Sequence, residues 1–429
     1  MIKIYDSKKI ALEDILIREN AATGVESIVS DIIRDVRENG DAALYKYAEK
    51  FDKAELSAIE VTAEEINEAM TLVEPEFVEI LKEAASNIAL YHKKQLSAGF
   101  EIKKDNGIIL GQKVLPIERA GLYVPGGTAA YPSTVLMDTI PAKIAGVSEL
   151  CIATPPTKDG KVNPVILAAA KIAGADRIFK MGGAQAIAAL AYGTETVPKV
   201  DKIVGPGNVF VAEAKRQVYG VVNIDMIAGP SEILVIADNT CNPIFVAADL
   251  LSQAEHDKNA TAVLITDSEE LAEKVKSELE RQILLLPREE IARTSIDNNG
   301  KIIIVENLEK GIEISNKIAP EHLEICVDEP FKYLDMVKNA GSIFLGKMCP
   351  EALGDYFSGT NHTLPTNGTA RFSSPLSVDD FVKKSAYSYY TESALSEVAE
   401  KVAYFAEKEG LSAHARSATV RIKGDVSCE

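Results

Sequence analysis

Beyond about residue 110 the chain alternates short apolar runs with helical sequence, and glycine marks several of the joins. Parallel neighbours need a crossover between them, so this alternation predicts βαβ units built around parallel sheets. Ala120-Gly121-Leu122-Tyr123-Val124-Pro125-Gly126-Gly127 reads as a strand entering a glycine turn. Residues 150–154, 177–181 and 201–204 read as further strands, with helical runs at 163–172, 184–191 and 209–218 between and after them. Residues 233–237, 262–266 and 301–305 continue the texture. The pattern predicts at least two α/β lobes.

The flanks read differently. Residues 1 to about 100 carry helical spacing. Thr62-Ala63-Glu64-Glu65 is a capping box, and the apolar periodicity of 25–38 stops at Asn39-Gly40. His92 falls in such a segment and reads as structural or solvent-facing. The last 50 or so residues are mostly helical, as at 394–408.

Bulk properties narrow the function classes. Asp and Glu outnumber Lys and Arg 64 to 46, a net charge of −18. That balance argues against nucleic acid or an anionic membrane as partner. No apolar run is long enough for a signal peptide or a bilayer span. The five cysteines are widely spaced without a CxxC pair, so neither a disulfide framework nor a Cys-rich zinc site is indicated. The expectation is a soluble protein of the cytoplasm.

Three strand–glycine–helix junctions, at Gly126-Gly127, Gly182-Gly183 and Gly205-Pro206-Gly207, could bring backbone N–H groups to a phosphate. None completes a dinucleotide fingerprint: Phe210 stands where the third glycine would follow Gly205-x-Gly207. A nucleotide held in an atypical way at the carboxyl ends of the strands is the reading that remains.

Four of the five histidines fall between positions 256 and 414, in polar or acid-flanked clusters. Gln253 and His256 stand at i and i+3 on an expected helix and share a face. Asp355 lies in a glycine-flanked stretch that reads as loop, and His414 lies near the tail. Two imidazoles, a carboxylate and an amide oxygen form an N/O set suited to Zn²⁺ or a similar ion. The same Gln and His could instead only hydrogen-bond the backbone. Glu321-His322 places two bases of different strength side by side, which suits two separate proton removals. Pro320 before them restricts Ala319 to extended geometry, so the pair reads as loop or helix start, and Glu321 could also simply complement a helix dipole.

The motifs together resemble the histidinol dehydrogenase family. The resemblance is carried by Ile224-Asp225-Met226-Ile227-Ala228-Gly229-Pro230-Ser231-Glu232-Ile233, the run from Ala247 to His256, Gly121 to Gly127, Pro132-Ser133-Thr134, Pro320-Glu321-His322-Leu323, Gly354-Asp355-Tyr356, Gly359-Thr360-Asn361-His362 and Ala413-His414. It covers essentially the whole chain in order. It implies oxidation of L-histidinol through L-histidinaldehyde to L-histidine, the last step of histidine biosynthesis, with two NAD⁺ reduced. It implies one zinc per subunit on Gln253, His256, Asp355 and His414, with Glu321 and His322 as the acid/base pair. His322 would take the alcohol proton, and Glu321 would activate water on the aldehyde. Substrate contacts would fall on Ser231, His362 and Glu409, on the metal ligands and on His322, and NAD contacts on Tyr123, Gln185 and Asn208.

The implied fold is α/β, with two incomplete Rossmann-like lobes. An N-terminal helical segment would span 1–25. The first lobe would combine 26–126 with 232–371, the second would span 127–231, and a helical C-terminal segment would span 372–429. That last segment would cross to the partner of a homodimer, so that His414 and Glu409 complete the neighbour's site. Two other readings remain: a relative oxidising another small alcohol on the same scaffold, and a zinc hydrolase with Glu321 as base. The hydrolase leaves Tyr123, Gln185 and Asn208 unexplained. The cysteines, Cys151 among them, sit in no catalytic cluster and read as structural or incidental.

Overall fold

The computed structural model describes residues 1–9, 24–126 and 130–423. The strands, in chain order, are β1 (Lys3–Asp6), β2 (Phe100–Lys103), β3 (Ile109–Pro116), β4 (Arg119–Tyr123), β5 (Glu149–Thr154), β6 (Arg177–Lys180), β7 (Lys202–Val204) and β8 (Asn223–Ile224). After them come β9 (Glu232–Ala237), β10 (Thr261–Thr266), β11 (Lys301–Ile304), β12 (His322–Cys326), β13 (Ser342–Leu345) and β14 (Val382–Tyr389). One parallel sheet has the order β6-β5-β4-β7-β8, the other β1-β11-β10-β9-β12-β13. This is the α/β architecture expected from the alternation, in the two Rossmann-like lobes that the resemblance implies.

The two sheets repeat one topology. In the first, the chain steps outward from β4 to β5 and β6, then returns to β7 on the other side of β4. In the second it steps from β9 to β10 and β11, then returns to β12 on the other side of β9. Each reversal opens a crevice at the carboxyl ends of the two central strands, the usual ligand position in such sheets. Between β4 and β7 that edge carries Tyr123 and the Gly205-to-Asn208 junction. Between β9 and β12 the equivalent edge carries Cys241 and Cys326, both buried with sulfur atoms 3.0 Å apart. Apolar cores cover both faces of each sheet. No described helix is long and apolar enough to cross a membrane.

Several sequence expectations change here. Lys3–Asp6 is an edge strand paired in parallel with β11, not helix, and residues 10–23 of the expected N-terminal helical segment lie outside the described residues. The helix expected to stop at Asn39-Gly40 continues as Glu26–Tyr47, kinked at Gly40 (φ 51°). A boundary after residue 126 would cut β4 from β5, although the two strands pair directly; the sheet of 127–231 begins at Arg119. Helices from 26–92 also pack on that sheet rather than on the other. The C-terminal segment is not wholly helical: β14 pairs antiparallel with β3 along eight residues, and β2 completes a three-stranded sheet. Residues 97–116 and 382–423 form a compact unit of their own, with helices Ala399–Lys408 and Ser412–Lys423. His92 is buried, its Nδ1 2.7 Å from Gln95 Oε1, and is structural rather than solvent-facing.

The turn at Gly205 is held tightly. Its φ of 109° requires glycine, and a Cβ there would collide with the Tyr123 carbonyl oxygen. The buried Lys215 ammonium donates to Gly205 O at 2.9 Å and pairs with Asp225, which accepts from Gly205 N–H at 2.8 Å. Removing one partner of a buried ion pair strands the other charge. Lys215→Met should therefore cost about 3–5 kcal/mol in urea unfolding, and the double change with Asp225→Asn should cost less. A Lys215→Met loss below about 1 kcal/mol would mean that the pair does not anchor this junction.

Candidate active site

The two bases lie at the amino-terminal edge of the six-stranded sheet. Helix Leu308–Ile318 ends at Ala319, whose left-handed backbone (φ 52°, ψ 63°) closes the last turn with a hydrogen bond to Ser315 O. That overturns the extended geometry expected before proline. His322 then begins β12, an interior strand between β9 and β13, rather than a loop or a helix. Parallel pairing of β12 with β9 brings both bases to the backbone of one residue, Glu232. Glu232 N–H donates to Glu321 Oε2 at 2.8 Å, and Glu232 C=O lies 3.0 Å from His322 Nδ1. A carbonyl only accepts, so Nδ1 carries the proton of this contact, leaving Nε2 as the working nitrogen. Ser231 directly precedes β9 at the same edge.

His322 Nε2 is buried without a hydrogen-bond partner and lies 3.5 Å from Asp355 Oδ1. Asp355 sits on the short helix Ala352–Tyr356, not in a loop. A ring nitrogen of His322 and carboxylate oxygens of Glu351 and Asp355 fall within 4.8 Å of one another. Glu351 escaped the sequence reading; its spacing of four from Asp355 was the available signal, since i and i+4 share a helix face. Gln253, buried in the last turn of helix Pro243–Ala254, joins the cluster by donating from Nε2 to Glu351 Oε1 at 2.5 Å. His256 follows that helix, and its backbone N–H bonds to Gln253 O.

Electrostatics set these groups apart from ordinary side chains. Burial pushes Glu321 up to about 8, with His322 opposing. Burial favours a neutral His322 ring, but Glu321 and Asp355 outweigh it and raise the ring to about 10. Burial would raise Asp355, yet the facing His322 holds it down to about 2. Glu351 is pushed up to about 7, by burial first and then by Asp355. Burial lowers His256 and His362 below the usual imidazole value. Asp249 and Glu324, behind Glu351, are both raised by burial. Acid groups gathered this densely around an unpartnered imidazole nitrogen fit a divalent cation, and an imidazole, carboxylate and amide set suits zinc.

The residues expected to contact NAD lie at the carboxyl edge of the five-stranded sheet. Tyr123 ends β4, buried, and its hydroxyl accepts from Gly183 N–H at 3.0 Å. Burial raises that phenol to about 12. Gln185 is buried in the first turn of helix Gly183–Tyr192. Asn208 caps helix Val209–Val218, accepting from Phe210 and Val211 N–H at 3.1 Å each. All three therefore lie at carboxyl-terminal strand–helix junctions; Gly127, of the first junction, lies outside the described residues.

A stretch of three residues ties the two edges together. Asn361 Nδ2 donates to Met137 O at 2.7 Å, His362 Nε2 lies 3.2 Å from Thr134 Oγ1, and Thr363 Oγ1 donates to Asp138 Oδ1 at 2.8 Å. Thr134, Met137 and Asp138 share helix Pro132–Ala145, which follows β4. His362 Nδ1 in turn lies 3.1 Å from Asp355 O. Glu409 and His414 belong to the separate C-terminal unit: Glu409 caps helix Ala399–Lys408, His414 lies in the first turn of helix Ser412–Lys423, and both are exposed.

Comparison with known proteins now decides the family. The histidinol dehydrogenase family model matches residues 17–422. The chain belongs to the histidinol dehydrogenase family. It is 59% identical to a histidinol dehydrogenase of Clostridium acetobutylicum over 95% of this chain and 94% of that protein. It is 57% identical to one of Bacillus cereus over 98% of this chain and 99% of that protein. The crystal structure of histidinol dehydrogenase from Elizabethkingia anophelis superposes with a TM-score of 0.94 at 42% identity, covering 98% of each chain. Members of the histidinol dehydrogenase family are NAD-dependent oxidoreductases, so this chain is an enzyme of that class.

Proposed function

We propose that this chain oxidises L-histidinol to L-histidine through L-histidinaldehyde, reducing two NAD⁺ in succession, as the last step of histidine biosynthesis in the cytoplasm. The observation that carries this reading is the pair of differently tuned bases, Glu321 and His322, held on the two backbone groups of Glu232. In the first oxidation His322 Nε2 accepts the alcohol proton as a hydride leaves the carbinol carbon. In the second, Glu321 takes a proton from the water that adds to the aldehyde carbon, and the resulting hydrate gives up the second hydride. The first oxidation yields one NADH and one proton; the second yields one NADH and two protons, because the acid is formed as its carboxylate.

Gln253, His256, Asp355 and His414 would hold one zinc ion, which supplies a Lewis-acid anchor for the nitrogen donors of the substrate. A cation on Asp355 also offsets the negative field that keeps His322 protonated, which a proton acceptor requires. Ser231, His362 and Glu409 would contact the substrate with the metal ligands and His322. Tyr123, Gln185 and Asn208 would contact NAD.

We infer a homodimer in which the C-terminal unit completes the neighbour's site. The exposure of His414 and Glu409 supports it, as do the apolar side chains this unit leaves exposed, among them Phe100, Ile102, Tyr389, Tyr404 and Phe405.

Three outcomes test the reading. Zinc-loaded protein given limiting L-histidinol and excess NAD⁺ should form two NADH per histidinol consumed, and a yield of one would remove the second oxidation. Only the ionised Glu321 accepts a proton, and its value is raised to about 8, so aldehyde oxidation should rise with pH through that region. Glu321→Gln should abolish that limb and slow the aldehyde step by about 10²–10⁴-fold, while His322→Asn slows the alcohol step. An unchanged limb in Glu321→Gln would refute the assignment. Finally, mixed His256→Ala and His414→Ala subunits should regain activity that neither has alone, and no recovery would mean a site built within one chain.

A further inference from the structure

A glutamine that ligates a metal has a wrong end. Its amide oxygen can coordinate a cation, while its NH₂ group repels one, and the two ends have nearly the same shape. Something must choose between them. In this chain Gln253 Nε2 donates to Glu351 Oε1 at 2.5 Å, in a buried setting. A carboxylate has no hydrogen to give, so it captures the NH₂ end and leaves Oε1 as the other face of the amide.

Glu351 is itself pinned. Its second oxygen accepts from Ser252 Oγ at 2.5 Å, and its backbone N–H donates to Glu324 Oε1 at 2.7 Å. It precedes the helix that carries Asp355, so the same short segment delivers Asp355 and the acceptor for Gln253.

We propose that Glu351 is a positioning residue that orients the Gln253 amide with its oxygen toward the cation. The proposal rests on the reading of Gln253 as a ligand. Groups that orient metal ligands in this way typically contribute about 10–100-fold to metal affinity.

The test is zinc affinity by competition with a chromophoric chelator, read on the folded full-length protein without substrate or NAD⁺. Glu351→Met removes the acceptor at similar volume and should weaken zinc binding by about 10–100-fold. Glu351→Gln removes the charge but can still turn its oxygen to Gln253 and its NH₂ to Ser252, so it should retain most of the affinity. Adding Gln253→Glu to Glu351→Met should restore binding, because a carboxylate at 253 has no wrong end. Wild-type affinity in Glu351→Met overturns the proposal. So does a loss in Glu351→Gln as large as that in Glu351→Met, which would show Glu351 acting through charge or direct ligation. Gln253→Met with undiminished affinity would remove the ligand role of Gln253, and the proposal with it.

Discussion

The backbone of one residue, Glu232, organises the pair of bases Glu321 and His322. The N–H of Glu232 holds Glu321 and its C=O holds His322, so both bases are fixed by the first residue of β9. That arrangement exists only because β12 lies parallel to β9 in a defined register, His322 opposite Ile233. A slip of one residue would turn both side chains to the wrong faces. The register is in turn secured by a strand buried on both sides, Leu323 and Ile325 packing against one core and Cys326 against the other.

The second constraint is charge. Glu321, Glu324, Glu351, Asp355 and Asp249 converge on a small volume with little water. Burying carboxylates without compensation is costly, and groups so placed take up protons or a cation. The raised values of Glu321 and Glu351 express the first response, and Asp355, held low beside them, is suited to the second. The two lobes share a Rossmann-like topology and carry the sequence-predicted residues at opposite edges. The five-stranded sheet offers its carboxyl edge, with glycines and Tyr123. The six-stranded sheet carries Glu321 and His322 at its amino edge, and Cys241 and Cys326 lie buried at its carboxyl edge.

This division explains what could be read in advance. The strands flanked by glycine were legible because apolar runs and turn residues are local signals. β12 was not legible, since His322 and Glu324 interrupt its apolar run, and their burial is sustained by distant partners: Glu232, Glu351 and Asp249. Buried polar residues broke the local pattern there, as happens where packing gives way to a site. The bridge of Asn361, His362 and Thr363 to helix Pro132–Ala145 spans more than 220 positions and leaves no trace in local sequence. Gln253, His256 and Asp355 could be proposed from residue type, whereas Glu351 needed the fold to bring it to Gln253.

On the proposed reading, the acid groups around His322 form a cation cradle. Calorimetric titration of chelator-treated protein with Zn²⁺, in buffers of different ionisation enthalpy, tests it most directly. Uptake of one ion per chain with release of protons is expected, because His322, near 10, is held protonated before the metal enters. No uptake, or uptake without proton release at neutral pH, would contradict it.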